Sequence, residues 1–158
     1  MKIVVCGGRK YGKMPDWVGQ RPLLPDGHYV NADGEKVFLD KANPKYIDAC
    51  RKAGFERRNL YDVLDSWYWK YRKDLEIATG GAPGADRLAQ RWAEEKKLVP
   101  VIYVAEWGRL GKAAGPIRNR RMLDEFKPDL VVAFPGGTGT EGCVNEARAR
   151  KIPVVRVR

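Results

Sequence analysis

Five short apolar runs punctuate the chain, at residues 2–6, 75–78, 99–105, 130–134 and 152–158. The first, Lys2-Ile3-Val4-Val5-Cys6, stops at Gly7-Gly8-Arg9, and Leu130-Val131-Val132-Ala133-Phe134 stops at Pro135 and three nearby glycines. Continuous apolar runs of this length predict strands buried on both faces of a parallel sheet. Between them the period changes. Residues 56–73 place Leu60, Val63, Leu64, Trp67 and Tyr71 at helical spacing, and residues 85–97 do the same with Leu88, Ala89, Trp92 and Ala93. Pro116 suits the first turn of a helix running through Leu123, and Glu146 to Arg150 are helix formers. Strand and helix alternate throughout, which predicts one α/β domain over residues 1–158: a three-layer Rossmann-like fold with a mostly parallel sheet.

Residues 10–56 interrupt this rhythm. Pro15, Pro22, Pro25 and Pro44 are too frequent for a long helix, so the segment reads as an insertion. Within it, residues 27–30 and 35–39 flank Asn31-Ala32-Asp33-Gly34, the pattern of a small β-hairpin closed by an Asp-Gly turn. Residues 43–50 suit a short helix capped by Asn43. The segment could serve as a lid, a partner surface or a contact between copies of the chain in a homo-oligomer, and its residues do not choose among these.

Composition narrows the chemistry. The chain has 158 residues with a single histidine, His28, and three widely spaced cysteines, Cys6, Cys50 and Cys143. Neither a disulfide framework, a thiolate or His-based metal site, nor Cys–His catalysis is expected from such a set, and no cofactor is suggested. No apolar run is long enough to span a bilayer, and the N-terminus meets glycine too early for a signal peptide, so a cytoplasmic protein is expected. The 30 Lys and Arg against 20 Asp and Glu give a formal charge of +10. An acidic partner is therefore expected, and Arg109, Lys112, Arg118, Arg120 and Arg121 crowd one glycine-containing segment.

Two loops carry the candidate chemistry. Pro135-Gly136-Gly137-Thr138-Gly139-Thr140 joins a strand to a helix, and Thr79-Gly80-Gly81-Ala82-Pro83-Gly84-Ala85-Asp86 has the same design. Such turns present unpaired backbone N–H groups and the positive end of a helix at the carboxyl edge of a sheet, where anions bind. Glycine leaves those amides uncovered, and Thr138 and Thr140 add hydroxyls. Gly7 and Gly8 would form a third wall of the crevice, with Arg9 either meeting an anion or standing exposed. Arg118 and Asn119 would face the crevice from a helix's first turn. Asp86 would either cap its helix or hydrogen-bond a ribose hydroxyl, and Trp107 would cover a base or plug the wall.

Together VVCGGR, TGGAPGADRLAQRWA, GKAAGPIRNRRML and PDLVVAFPGGTGT resemble the YspA-like branch of the SLOG superfamily, which groups the SMF/DprA proteins with the Lonely-Guy phosphoribohydrolases. The resemblance covers the first ten residues and about 75–158, leaving the insertion outside. It implies a Rossmann-like fold and a pocket for nucleotides or nucleotide-derived molecules, in settings of phage or bacterial conflict. By position, Gly136, Gly137, Gly139 and Thr140 would hold phosphate, Arg118 would pair with it, and Gly80, Gly81 and Asp86 would flank the ribose. Lonely-Guy enzymes carry PGGxGTxEE, whereas here Thr140 is followed by Glu141, Gly142 and Cys143.

Three functions follow as expectations. A nucleotide-binding protein that senses or sequesters its ligand comes first. The second is an N-glycosidase, a phosphoribohydrolase of nucleoside monophosphates or related ribosyl phosphates, in which Glu141 or Asp86 would be catalytic. Nucleic-acid binding, suggested by the charge, comes third.

Overall fold

The computed structural model describes residues 1–13, 28–30, 36–38 and 44–158, with side chains described for 1–13 and 48–158. Five strands form one sheet: β1 (Lys2–Cys6), β4 (Glu76–Thr79), β5 (Val101–Ile102), β6 (Leu130–Ala133) and β7 (Val154–Arg156). Their order is β5-β4-β1-β6-β7, and every pairing is parallel. The remaining two, β2 (His28–Val30) and β3 (Lys36–Phe38), make an antiparallel pair with Tyr29 opposite Val37. The predicted Asp33-Gly34 turn lies outside the described residues, as does Asn43.

Apolar runs become central strands because both pleat faces are covered. Ile3, Val5, Leu130, Val132 and Phe134 face one side, packed with Leu60, Leu64, Leu88 and Trp92 from α1 (Pro44–Tyr71) and α2 (Ala85–Glu95). Val4, Cys6, Val131 and Ala133 face the other, packed with Met122, Leu123, Cys143, Val144 and Ala147 from α4 (Ala114–Phe126) and α5 (Thr138–Ala149). The alternation of neighbouring residues between two helical layers gives the three-layer Rossmann-like α/β fold.

Three expectations about elements need correction. The two helices expected at 43–50 and 56–73 are one element, because α1 runs unbroken for 28 residues from Pro44. Gly54 sits mid-helix with nothing near its missing Cβ; it lowers helix propensity there by about 1 kcal/mol without breaking the helix, while Ala53 beside it is buried. The strand expected at 99–105 shrinks to Val101–Ile102: an edge strand has a neighbour on one side only, and Pro100 lacks an N–H. Finally, α4 begins at Ala114, so Arg118 lies in its second turn rather than its first. A four-residue helix, α3 (Trp107–Leu110), and one 3-10 turn, Gly111–Ala113, lead into it.

Chain order places the crevice. The sheet grows from β1 outward through β4 to β5, and the chain then crosses back to β6 on the other side of β1. The loops after β1 and β6 therefore diverge to opposite helical layers at a topological switch point, where open α/β sheets bind ligands.

Leu64 is fully buried where α1 meets the sheet. Leu64→Ala is expected to lower the free energy of unfolding by roughly 2–5 kcal/mol, read from the urea midpoint. A loss below about 1 kcal/mol would show that α1 is not part of the cooperative core.

Candidate functional site

A cavity of about 480 Å³ opens at that switch point. Its walls are the loop after β1 (Gly7, Gly8, Arg9), the loop after β4 (Gly80, Ala82), and the start of α5 (Gly137, Thr138, Gly139, Thr140). Asp86, Arg118 and Asn119 project into it, and Trp107 and Lys112 stand at the α3 side. Thus the structure brings together Gly7, Gly8, Arg9, Gly80, Asp86, Arg118, Asn119, Gly137, Thr138, Gly139 and Thr140. Gly81, Gly136 and Glu141 do not line this cavity.

The loops are held by their own side chains. Gly8 N–H donates to Pro135 O at 2.9 Å, tying the first loop to the last. A Cβ on Gly136 would overlap the Thr140 hydroxyl, so glycine there is a packing requirement. Thr79 Oγ1 accepts from Gly81 N–H at 3.3 Å and from Gln90 Nε2 at 2.8 Å, which fixes the 80–84 loop against α2. Thr79 and Gln90 carried no sequence signal beyond their chemistry, because only the fold brings residues eleven apart onto one turn. Asn119 Nδ2 donates to Gly139 O at 3.3 Å and so spans from α4 to α5.

Other glycines have no packing role. At Gly137 and Gly139 a Cβ would meet nothing within 4 Å, and neither residue has a positive φ. Packing does not demand glycine at either position, so its effect is to leave the helix terminus bare. No side chain caps α5, whose first-turn amides at Thr138 and Gly139 have no intrahelical acceptor by helix geometry. Those donors and the helix dipole give the cavity a positive wall.

Arg118 is the central charge. Its side chain is 13% exposed, and Gly80 is bare beneath it: a Cβ there would run into the guanidinium. One Nη donates to Tyr103 O at 3.3 Å and stands 3.9 Å from Asp86 Oδ2, while Nε is buried with no hydrogen-bond partner. A guanidinium offers five N–H donors, and among the described residues only this one hydrogen bond is made. Asp86 accepts from Ala82 N–H at 3.3 Å and so also ties the loop back to α2, as a first-turn carboxylate does. Burial pushes its carboxyl up to about 6, against the pull of Arg118, the Ala82 and Gly80 amides, and Arg9.

Elsewhere the expected basic cluster disperses. Arg109 pairs with Glu106 at 2.6 Å, Arg120 with Glu146 at 3.5 Å and Arg121 with Glu125 at 3.2 Å. Only Lys112 and Arg118 of that group reach the cavity, because a helix turns successive side chains about 100° apart. Glu141 points elsewhere: Arg156 at the end of β7 donates to both its oxygens, at 2.7 and 2.6 Å. That guanidinium holds the Glu141 carboxyl below its ordinary range. Gly142 and Cys143 face the cavity instead, and Cys143 contacts Cys6 on its floor. That contact and burial raise the Cys6 thiol well above its usual range, so Cys6 acts as a small apolar group rather than a nucleophile. Among the described residues no cluster of three or more His, Cys, Asp or Glu could hold a metal, and no helix is long and apolar enough to cross a membrane.

Asp86 predicts a pH signature. A carboxyl raised to about 6 in the folded protein, from about 4 unfolded, binds its proton preferentially in the native state. Its ionised form therefore costs stability that is recovered as pH falls from 7 towards 4, by up to about 3 kcal/mol. Asp124 and Glu141, both held low, work in the opposite direction as they protonate. The Asp86→Asn difference isolates the effect: the variant's stability relative to wild type should decline as pH drops through 6, and a flat difference would contradict a raised carboxyl.

The chain is similar to known proteins. The model of the YspA, cpYpsA-related SLOG family matches residues 39–109, which takes in α1, the TGGAPGAD loop and α2. That match starts inside the segment expected to lie outside the resemblance, in keeping with α1 as one continuous element. The Gene 61 protein of Mycobacterium phage D29 is 36% identical over 107 residues, covering 63% of this chain and 85% of the relative. Among solved structures, the UDP-GlcNAc 2-epimerase of Neisseria meningitidis, crystallised with UDP-GlcNAc, aligns with a TM-score of 0.47 at 13% identity over 99% of this chain, which spans 32% of the epimerase. On the family model and the extent of its phage relative, this chain belongs to the YspA, cpYpsA-related SLOG family.

Proposed function

We propose that this protein binds a nucleotide or nucleotide-derived small molecule and senses or sequesters it. The phosphate sits between the uncapped N-terminus of α5 and the Arg118 guanidinium, with Asp86 and the Gly80 loop beside the ribose. The observation that carries this reading is Arg118, a largely buried guanidinium with a single hydrogen bond among the described residues, lining a cavity walled by bare glycines. A guanidinium so sparsely partnered is costly to bury, and an anion is the chemistry that engages its free donors. The cytoplasm is where such a ligand is met, and a phage-encoded relative is in keeping with a role in phage or bacterial conflict.

An N-glycosidase is the second reading, favoured by one feature. Asp86 is a buried carboxyl raised to about 6 inside the cavity, poised to exchange a proton near neutral pH. Glu141, the other candidate catalytic residue, is engaged by Arg156 and does not line the cavity, which supports binding over hydrolysis. Nucleic-acid binding is weaker still, since Arg109, Arg120 and Arg121 are paired with neighbouring carboxylates.

One experiment separates the three. Purified protein is incubated with nucleoside monophosphates, NAD and ADP-ribose, and retained ligand and released base are followed by chromatography. Ligand retained intact by wild type, and weakened about 10- to 100-fold in Arg118→Ala or lost in Gly137→Val, is the expected result. Gly137→Val fills space that is open in the fold, so thermal melting should stay close to wild type. Base released by wild type and not by Asp86→Asn would make the protein an enzyme. Neither retention nor release, with affinity for DNA falling steeply with salt, would favour nucleic acid.

A further inference from the structure

Beside the main cavity lies a second recess of about 320 Å³, formed where the loop after β1 meets α1. The two hollows share Gly8, Arg9 and Gly137 as a common wall. At Gly8 the backbone of Pro135 and Gly136 closes the wall, and Gly8 N–H is spent on Pro135 O, so the low part is Gly137, where a Cβ would meet nothing within 4 Å. A ligand in the first hollow can therefore cross into the second.

The recess is cationic. Arg9 and Lys10 enter it from the loop and Lys52 from α1, against a single acid, Glu56. Glu56 is already engaged: one carboxylate oxygen accepts the Gly12 N–H at 2.5 Å and the other lies 4.0 Å from Lys52 Nζ. Arg57 Nε donates to Gly12 O at 2.7 Å from the next position on the helix. These two bonds clamp the 8–12 loop to α1 and hold Lys10 and Lys52 about one hollow. No carboxylate among the described residues pairs with Arg9 or Lys10, and Arg9 lies over the Trp107 ring at 5.0 Å, across the mouth of the main cavity.

We infer that this recess is a second phosphate site, reached over the glycine wall, and that the ligand is a nucleoside diphosphate or a sugar ester of one rather than a nucleoside monophosphate. This rests on the phosphate site proposed at Arg118 and α5. One phosphate occupies that site, and the next passes over Gly137 to face Arg9, Lys10 and Lys52. It also gives α1 and the residue-10 loop a task in recognition.

The test is titration calorimetry with the four ribonucleoside 5′-monophosphates, the four matching diphosphates, and ADP-ribose and UDP-glucose as sugar esters. At least one diphosphate or ester should bind wild type about tenfold or more tightly than its monophosphate. In the double variant Lys10→Ala, Lys52→Ala that ratio should collapse towards one. Both lysines are exposed, and a thermal melt confirms that the variant is folded. An ester tighter than its free diphosphate identifies the ester as ligand, and the reverse order identifies the diphosphate. Equal wild-type affinities for monophosphates and the diphosphate compounds, or a ratio that survives the double substitution, would overturn the second site and leave the first standing. If no nucleotide of either class binds, the Arg118 site itself fails, and the second site with it.

Discussion

The register of β1 between its two neighbours is the constraint on which the rest of the molecule depends. Three bonds set it at the strand's entry: Lys2 N–H donates to Asp129 Oδ2 at 2.7 Å, Asp129 N–H to Lys2 O at 2.8 Å, and Glu76 N–H to Met1 O at 2.9 Å. With that start, Val4 lies opposite Ala78 on one side and Val131 on the other. A slip of one residue would exchange the two pleat faces, driving Val4 into the α1–α2 layer and Ile3 into the α4–α5 layer. It would also displace Gly7, where any Cβ would press on Ala85 and Phe134. Sheet register thus fixes how close the three glycine loops come to one another, and with it the shape of the cavity.

Within that frame, glycine does two different jobs. At Gly7, Gly80 and Gly136 the neighbours leave no room for a side chain, so glycine permits the loops and the Arg118 guanidinium to pack. At Gly137 and Gly139 the neighbours leave ample room, and glycine keeps a helix terminus uncovered. The first set builds the walls and the second leaves them accessible. Charge is divided in a similar way: surface arginines are neutralised by acids three to four residues or one helix away, while Arg118 is buried with a distant partner and a free donor.

Much of the fold is legible in the sequence because buried parallel strands are written as continuous apolar runs and their helices as period-3.6 patterns. Val131 and Val132 could hardly be placed elsewhere. The misreadings fall where local signals are weak or conflicting. Gly54 and the prolines before it conceal a helix whose inward face is carried by widely separated residues such as Ala53 and Leu60. Val99 and Val104 look like strand and are exposed at a sheet edge. For the cavity, glycine loops announced which backbone segments converge, whereas the pairing of Glu141 with Arg156 and of Thr79 with Gln90 depends on three-dimensional neighbours that no local pattern encodes. The run of arginines around residue 118 suggested one concentrated charge, and helical geometry spreads it over several faces.

The sparsely partnered Arg118 guanidinium has a consequence for the protein's lifetime. An anion that binds beside Arg118 in the folded chain and not in the unfolded one stabilises the fold by mass action, by about 2.7 kcal/mol at a hundredfold excess over Kd. In a cell, differences of that size change the fraction of molecules exposed to proteases several-fold. The abundance of the protein would then follow the concentration of its ligand, so that a molecule with no further machinery would report on its ligand through its own survival.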